Sequence, residues 1–195
     1  RVREMAKPEV KAAILGEPDQ RVDEPGSMAN VFGLFQRAAP VIYPLADPVD
    51  YEPQMSECLG ARAAATGEDI LSVMYDFLLE QDGASMGAIM GGVDVHQSQE
   101  VIREMLVHPA TVTGLSDAGA HVTLICDASM PTTQLTYWAR DRRRGERIPI
   151  EFLVHKQTAR NARLYGLDDR GTLAPGLRAD INVIDLENLS VAPPK

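Results

Sequence analysis

Apolar residues recur along the chain in two rhythms, short continuous runs and helical stripes, and the two alternate. Behind Pro8, suited to a first helical turn, Val10, Ala13 and Ile14 fall at helical spacing before Gly16 and Pro18, so residues 8–17 read as a short helix. Residues 18–30, with Pro18, Pro25, Gly26 and several charges, read as a connection. Val31 to Phe35 and Val41 to Leu45 are apolar runs of the length expected for buried strands, and Pro40, Pro44, Pro48 and Pro53 punctuate a loop through Tyr51.

Met55, Leu59 and Ala63 share a face, predicting a small helix over 55–65 that ends near Gly67. A second helix is expected from Glu68 or Asp69 to Gln81, where Ile70, Leu71, Met74, Phe77 and Leu78 form a core-facing stripe and Asp82-Gly83 stops the helix. Met86 to Met90 reads as a strand closed by Gly91-Gly92. Ser98 caps a helix that turns Val101, Ile102, Met105 and Leu106 inward until His108-Pro109 ends it. Thr111 to Leu115 has the pattern of a buried strand, and residues 131–143 and 149–165 read as helices. Leu173-Ala174-Pro175-Gly176 is a type II turn signal, and Asp180 to Leu186 then alternates as a strand. Strand and helix in alternation, joined by short connections, predict an α/β layer or barrel with a small β piece after it.

Composition and charge narrow the partners. With 19 Lys and Arg against 28 Asp and Glu, the net charge is −9, which argues against nucleic acid or an anionic membrane surface as a partner. The basic run from Arg140 to Arg147, interrupted by Asp141, Gly145 and Glu146, reads as a solvated helix end. Cys58 and Cys126 form no CxxC pair, which fits two buried thiols in a reducing, cytoplasmic compartment. No apolar stretch is long enough to span a bilayer, and the polar opening residues lack the apolar centre of a signal peptide. The chain begins without Met, directly in helix-like sequence, and reads as part of something longer.

Among residues able to carry chemistry, Asp117 is the most suggestive. It follows the apolar run Thr111–Leu115 within the small-residue loop Ser116-Asp117-Ala118-Gly119-Ala120-His121. A carboxylate at the C-terminal end of a parallel strand is where α/β barrels place catalysis, and it can ligate a divalent cation and take a proton from bound water. The same residue could equally turn the chain by accepting hydrogen bonds from its own backbone. His121 is a possible ligand or substrate contact. His96 and His108 sit near helix ends without a sequence partner, and His155 falls on the outer face of a helix. No GxSxG, P-loop, dinucleotide-binding or HExxH pattern is present.

Residues 107–127, Val-His-Pro-Ala-Thr-Val-Thr-Gly-Leu-Ser-Asp-Ala-Gly-Ala-His-Val-Thr-Leu-Ile-Cys-Asp, resemble the amidohydrolase superfamily, and more narrowly its N-acyl-D-amino-acid deacylase (D-aminoacylase) group. Residues 158–185 are similar to the end of the same enzymes, with Thr158-Ala159, Asn161-Ala162-Arg163-Leu164-Tyr165-Gly166-Leu167, Arg170-Gly171, Pro175-Gly176 and Ala179-Asp180. The segment from Tyr43 to Pro53 and the helix pair at 55–81 look like that group as well.

The resemblance implies a fold: the C-terminal portion of a (β/α)8 TIM-type barrel over residues 1–166, followed by strands of a small β-domain over 167–195. It also implies an activity, hydrolysis of the amide bond of N-acyl-D-amino acids or similar amides. Asp117 would be both metal ligand and general base and acid, with Ser116, Gly119 and His121 near a small-molecule amide substrate. The complete enzyme would use Zn2+ or another divalent cation. The family's His-x-His pair and its later ligands have no counterpart here, so this chain alone is expected to hold no metal and to be inactive. A substrate-binding His-Pro-Arg of close D-aminoacylases is replaced by Asp127-Ala128-Ser129-Met130-Pro131-Thr132-Thr133. Two alternatives stay open: an amidohydrolase acting on a cyclic or other small amide, and a non-catalytic barrel scaffold that has lost its metal. Open strand edges on a barrel portion also predict self-association.

Overall fold

Asp69 begins a helix by accepting hydrogen bonds from the backbone N–H groups of Leu71 at 2.9 Å and Ser72 at 3.3 Å. That satisfies donors which an uncapped helix leaves open. The computed structural model describes residues 1–18, 27–90, 98–114, 116 and 127–192. They divide into two compact units, Arg1–Gln97 and Ser98–Lys195.

The first unit carries helices α1 (Val2–Met5), α2 (Pro8–Leu15) and α3 (Met28–Ala38), strand β1 (Ile42–Pro44), helices α4 (Leu59–Thr66) and α5 (Ile70–Gly83), and strand β2 (Gly87–Ile89). Pro8 opens α2 as the sequence predicts. In α4, the helix closes on Gly67 in the left-handed conformation at φ +73°, which a residue without Cβ adopts at little cost. The stripe of α5 is found in part: Phe77 is buried and Ile70 and Met74, joined by Val73, pack on a core formed by Ile42, Leu59 and Phe77, whereas Leu78, expected to face the core, is exposed. Backbone angles leave the helical region at Glu80, so regular helix ends at Leu79, two residues before the expected Gln81. Tyr75 on the same helix donates its hydroxyl proton to the Met5 carbonyl at 2.8 Å, tying α1 down.

Strands β1 and β2 pair antiparallel, with Ile42 opposite Ile89, Tyr43 opposite Ala88 and Pro44 opposite Gly87. Both lie inside the predicted runs but are only three residues long. The run Val31–Phe35, expected as a strand, is instead the middle of α3. A short apolar run does not distinguish strand from helix, and here the proline-free window from Met28 to Ala38 is long enough for three helical turns.

The second unit carries α6 (Glu100–Val107), α7 (Met130–Thr133) continuing as a π-helix over Gln134–Asp141, and α8 (Ile150–His155) continuing as a π-helix over Lys156–Arg160 into α9 (Asn161–Leu164). The backbone N–H of Glu100 donates to Ser98 Oγ at 3.1 Å, and His108 ends α6 in extended conformation before Pro109. Leu135, Tyr137, Trp138, Ile148, Leu153 and Ala162 are buried. Tyr137 and Trp138 meet edge to face with centroids 5.0 Å apart.

Two further expected strands form no ladder among the described residues. Thr111–Gly114 and Asp180–Leu186 belong to neither helix nor strand, and Val112 and Val183 are exposed rather than buried. A strand exists only against a neighbouring edge, and β1–β2 is the sheet of the described residues. The expected parallel barrel order is therefore not displayed by them. The type II turn is present, with the Leu177 N–H donating to the Ala174 carbonyl at 3.2 Å across Pro175 and Gly176, whose φ is +87°.

Candidate functional site

Asp117, Gly119 and His121 lie outside the described residues, as do Gly91-Gly92, His96 and Cys126. Ser116 is described and half-buried. The structure therefore reports on the site through the segment that leads to it and the helix that holds that segment.

Thr111–Gly114 is held by side chains where a ladder was expected. Lys156 donates from Nζ to the Thr111 carbonyl at 2.9 Å and to Thr111 Oγ1 at 2.8 Å. Asn161 donates from Nδ2 to the Thr113 carbonyl at 3.2 Å, and Thr113 Oγ1 donates back to the Lys156 carbonyl at 3.3 Å. Lys156 is 1% exposed. Burial holds its ammonium below the usual lysine pKa, and the like charge of Arg160 adds to the shift. Asn161 Oδ1 is a buried acceptor without a hydrogen-bond partner among the described residues.

Lys156 is the residue sequence reasoning missed. Its signal was available, because position 156 lies one turn beyond buried Leu153 on the inward face of the helix, where a lysine needs a reason. Asn161 was noticed within the C-terminal motif but given no contact.

The described histidines serve other ends. His108 Nδ1 accepts the backbone N–H of Ala110 at 3.1 Å, making a turn, and His155 is exposed as expected. No group of three or more His, Cys, Asp or Glu side chains able to hold a metal forms among the described residues. The residue proposed above as a metal ligand, Asp117, lies outside them. Cys58 is buried, its Sγ donating to the Met55 carbonyl at 3.0 Å and accepting the Ala61 N–H at 3.4 Å at the start of α4.

The basic run departs from the expected solvated helix end. Arg142 is 1% exposed. Its Nη2 pairs with Glu100 Oε2 at 3.1 Å and its Nη1 donates to the Glu146 carbonyl at 2.9 Å. Glu100 also pairs with Arg103 at 3.1 Å, and Arg103 reaches Glu146, so acidic neighbours neutralise the run. Arg140 grips Asp141 through two hydrogen bonds, which hold that carboxyl below its usual pKa, and donates to the carbonyls of Leu186 and Glu187.

A shallow cavity of about 400 Å³ lies along α8, lined mainly by Ile150, Val154, Thr158, Ala159 and Gly171. Its walls are apolar and its titratable groups, Glu151 and His155, make no ion pair among the described residues.

Comparison with known proteins places these features. Residues 52–195 match the amidohydrolase family, a span that includes Asp117, Lys156 and Asn161. The chain belongs to that family. It is also 33% identical over 162 residues to the imidazolonepropionase of Paracoccus denitrificans (strain Pd 1222), covering 80% of this chain and 39% of that protein. The amidohydrolase chain thus spans about two fifths of the length of this curated relative. No solved structure matches it. Membership supports hydrolysis of C–N bonds, and amidohydrolases are generally metal-dependent. No helix of the described residues is long and apolar enough to cross a membrane.

Proposed function

We infer that this amidohydrolase contributes the C-terminal part of a metal-dependent hydrolase that cleaves the amide bond of an N-acyl-D-amino acid or a closely related small amide. The observation that carries the reading is the family match from residue 52 to residue 195, with the Asp117 loop and the C-terminal motif at 158–185 both inside it. Residues 1–166 would then belong to the barrel and 167–195 to the small β-domain.

In this reading the Asp117 carboxylate takes a proton from the attacking water and returns it to the departing amine, so that the amine leaves neutral. A divalent cation such as Zn2+, when bound, makes that water acidic enough to lose the proton near neutral pH. Ser116, Gly119 and His121 are proposed as substrate contacts in the same loop.

The likeness to imidazolonepropionase favours a second reading, in which the amide is part of a ring. The same Asp117 chemistry applies, because ring opening also expels an amine that needs a proton.

The test is made in the full-length protein. Asp117→Asn keeps the side chain's size and removes its basicity, so turnover should fall by about 100- to 10,000-fold with the thermal transition unchanged. Activity near wild type in that variant defeats the reading. Measuring kcat/KM for N-acyl-D-amino acids, N-acyl-L-amino acids and cyclic amides then separates the two substrate classes.

A further inference from the structure

Burying an ammonium is costly unless its protons are used, and among the described residues no carboxylate pairs with Lys156. A methionine of similar length would fill the same space without that cost. What the lysine supplies is donors, and the described ones go to the carbonyl and hydroxyl of Thr111.

The second attachment repeats the first. Asn161, five positions on, donates to the carbonyl of Thr113, two positions on. Both attachments therefore advance in the same chain direction. Five residues rise about 7.5 Å in an α-helix and less in a wider π turn, and two residues of chain span at most about 7 Å, so donors and acceptors keep pace along the helix. Around the helix axis, residues five apart are offset by about 140° in an α-helix, too far to serve one neighbour. The turn over Lys156–Arg160 is π-helical, wound wider than an α-helix, which brings positions five apart closer to one face, while the Asn161 N–H donates to the Thr158 carbonyl. Thr113 Oγ1 bonds the Lys156 carbonyl from the same side. The π turn is what lets two side chains of one helix act as a short ladder for a segment that has no strand beside it among the described residues.

We propose that Lys156 is a positioning residue, which together with Asn161 uses the π-helical turn to fix the register of Thr111–Gly114, the stretch that leads in sequence to Asp117. Its consequence for catalysis rests on the amidohydrolase reading given above, whereas the clamp itself does not. Lys156 touches no reacting atom. It decides how the backbone of Thr111–Gly114 is held.

The test uses the full-length protein with Lys156→Met and Lys156→Arg. Hydrogen–deuterium exchange is followed in the metal-free protein on the peptide containing Thr111–Gly114. In Lys156→Met, loss of charged hydrogen bonds should speed exchange there by about tenfold or more, with the rest of the Ser98–Lys195 unit unchanged. With Zn2+ supplied, kcat should fall about 10- to 100-fold while KM stays within about threefold of wild type. Lys156→Arg, which keeps donors and charge, should restore part of both. If exchange at 111–114 in Lys156→Met equals wild type, or rises evenly through the whole unit with kcat of the folded protein unchanged, the proposal is overturned. Should Lys156→Met not fold, Asn161→Leu removes the second attachment, and unchanged exchange at Thr113 and Gly114 overturns it equally. An active Asp117→Asn variant would defeat the hydrolase reading, while the exchange measurement would still decide the clamp.

Discussion

The Arg142 guanidinium lies 4.9 Å from the centroid of the Trp138 ring, with no part of its side chain exposed. A desolvated guanidinium over an indole is among the stronger cation–π arrangements, and the planar fork at the same time serves Glu100 and the Glu146 carbonyl. Gly145 makes room for it, since a Cβ there would sit 2.8 Å from Arg142 Nη2.

Arg142→Ala should therefore destabilise the protein by about 2–5 kcal/mol, the range for truncating a long buried side chain. Arg142→Lys should cost about 1–2 kcal/mol, because a single ammonium cannot face the ring, the carboxylate and the carbonyl together. Urea unfolding followed by Trp138 fluorescence measures both. Equal midpoints for wild type and Arg142→Ala would show that the stack contributes nothing.

Gly60 makes a comparable prediction for the first unit. A Cβ at this helical position would meet the Pro40 carbonyl oxygen at 2.6 Å and Pro40 Cα at 3.2 Å. The obstacle is backbone, which cannot rotate away, so the gain in helix propensity from alanine is outweighed. Gly60→Ala should cost about 1–3 kcal/mol, whereas at the open Gly67 the cost should be the left-handed backbone penalty of about 1–2 kcal/mol. Denaturant midpoints of the two variants check this, and a stabilised Gly60→Ala would refute it.

What the sequence reveals here follows how local each cause is. The helix start at Asp69, the helix end near Gly67 and the Pro175-Gly176 turn all depend on neighbours within a few residues, and each is found, while the α5 stripe holds at Ile70, Met74 and Phe77 and fails at exposed Leu78. Thr111–Gly114 and Asp180–Leu186 form no strand among the described residues because a ladder depends on an edge elsewhere, which an alternating pattern cannot supply. The run at Val31–Phe35 was ambiguous in kind, and helix formers around it decided the outcome. Arg142 was expected as part of a solvated helix end and Lys156 was not singled out, because Glu100 and Thr111 are brought beside them only by folding. At the candidate site, Asp117 was singled out by its place after an apolar run and by resemblance, and it lies outside the described residues. The π turn that aligns Lys156 with Asn161 leaves no mark in hydrophobic spacing.

Lys156 also carries a pH prediction. Its folded pKa lies below the ordinary value of 10.5, first because burial disfavours the cation and second because Arg160 is near. Between the two values the unfolded chain binds more protons than the folded one, so this group makes stability rise with pH across that window. The penalty acts in full below the folded pKa and is gone above about 10.5. Lys156→Met removes it at every pH. The stability of the wild type measured against Lys156→Met should accordingly improve as pH rises from neutral toward that upper limit. Urea midpoints of the two proteins at several pH values give the difference directly, and a difference that stays flat or moves the other way contradicts the burial effect.

Self-association is expected of this chain by itself. Leu164, Tyr165, Leu173, Ile181 and Val183 are each at least 60% exposed, Val183 reaching 98%. Side chains of this kind gain by leaving water, at about 25 cal/mol per Å² buried. The net charge of −9 opposes contact between copies, but salt at physiological strength screens charges beyond about 8 Å while leaving apolar attraction intact. The average mass from light scattering should therefore rise with protein concentration and rise further on adding salt. Leu173→Lys with Val183→Lys introduces desolvation costs at the most exposed apolar positions and should shift the protein toward monomer, even though it reduces the net negative charge. That last feature separates the two forces: if charge repulsion alone governed association, the double lysine variant would associate more strongly than wild type. A monomer at every concentration and salt level would remove the apolar surface as a cause.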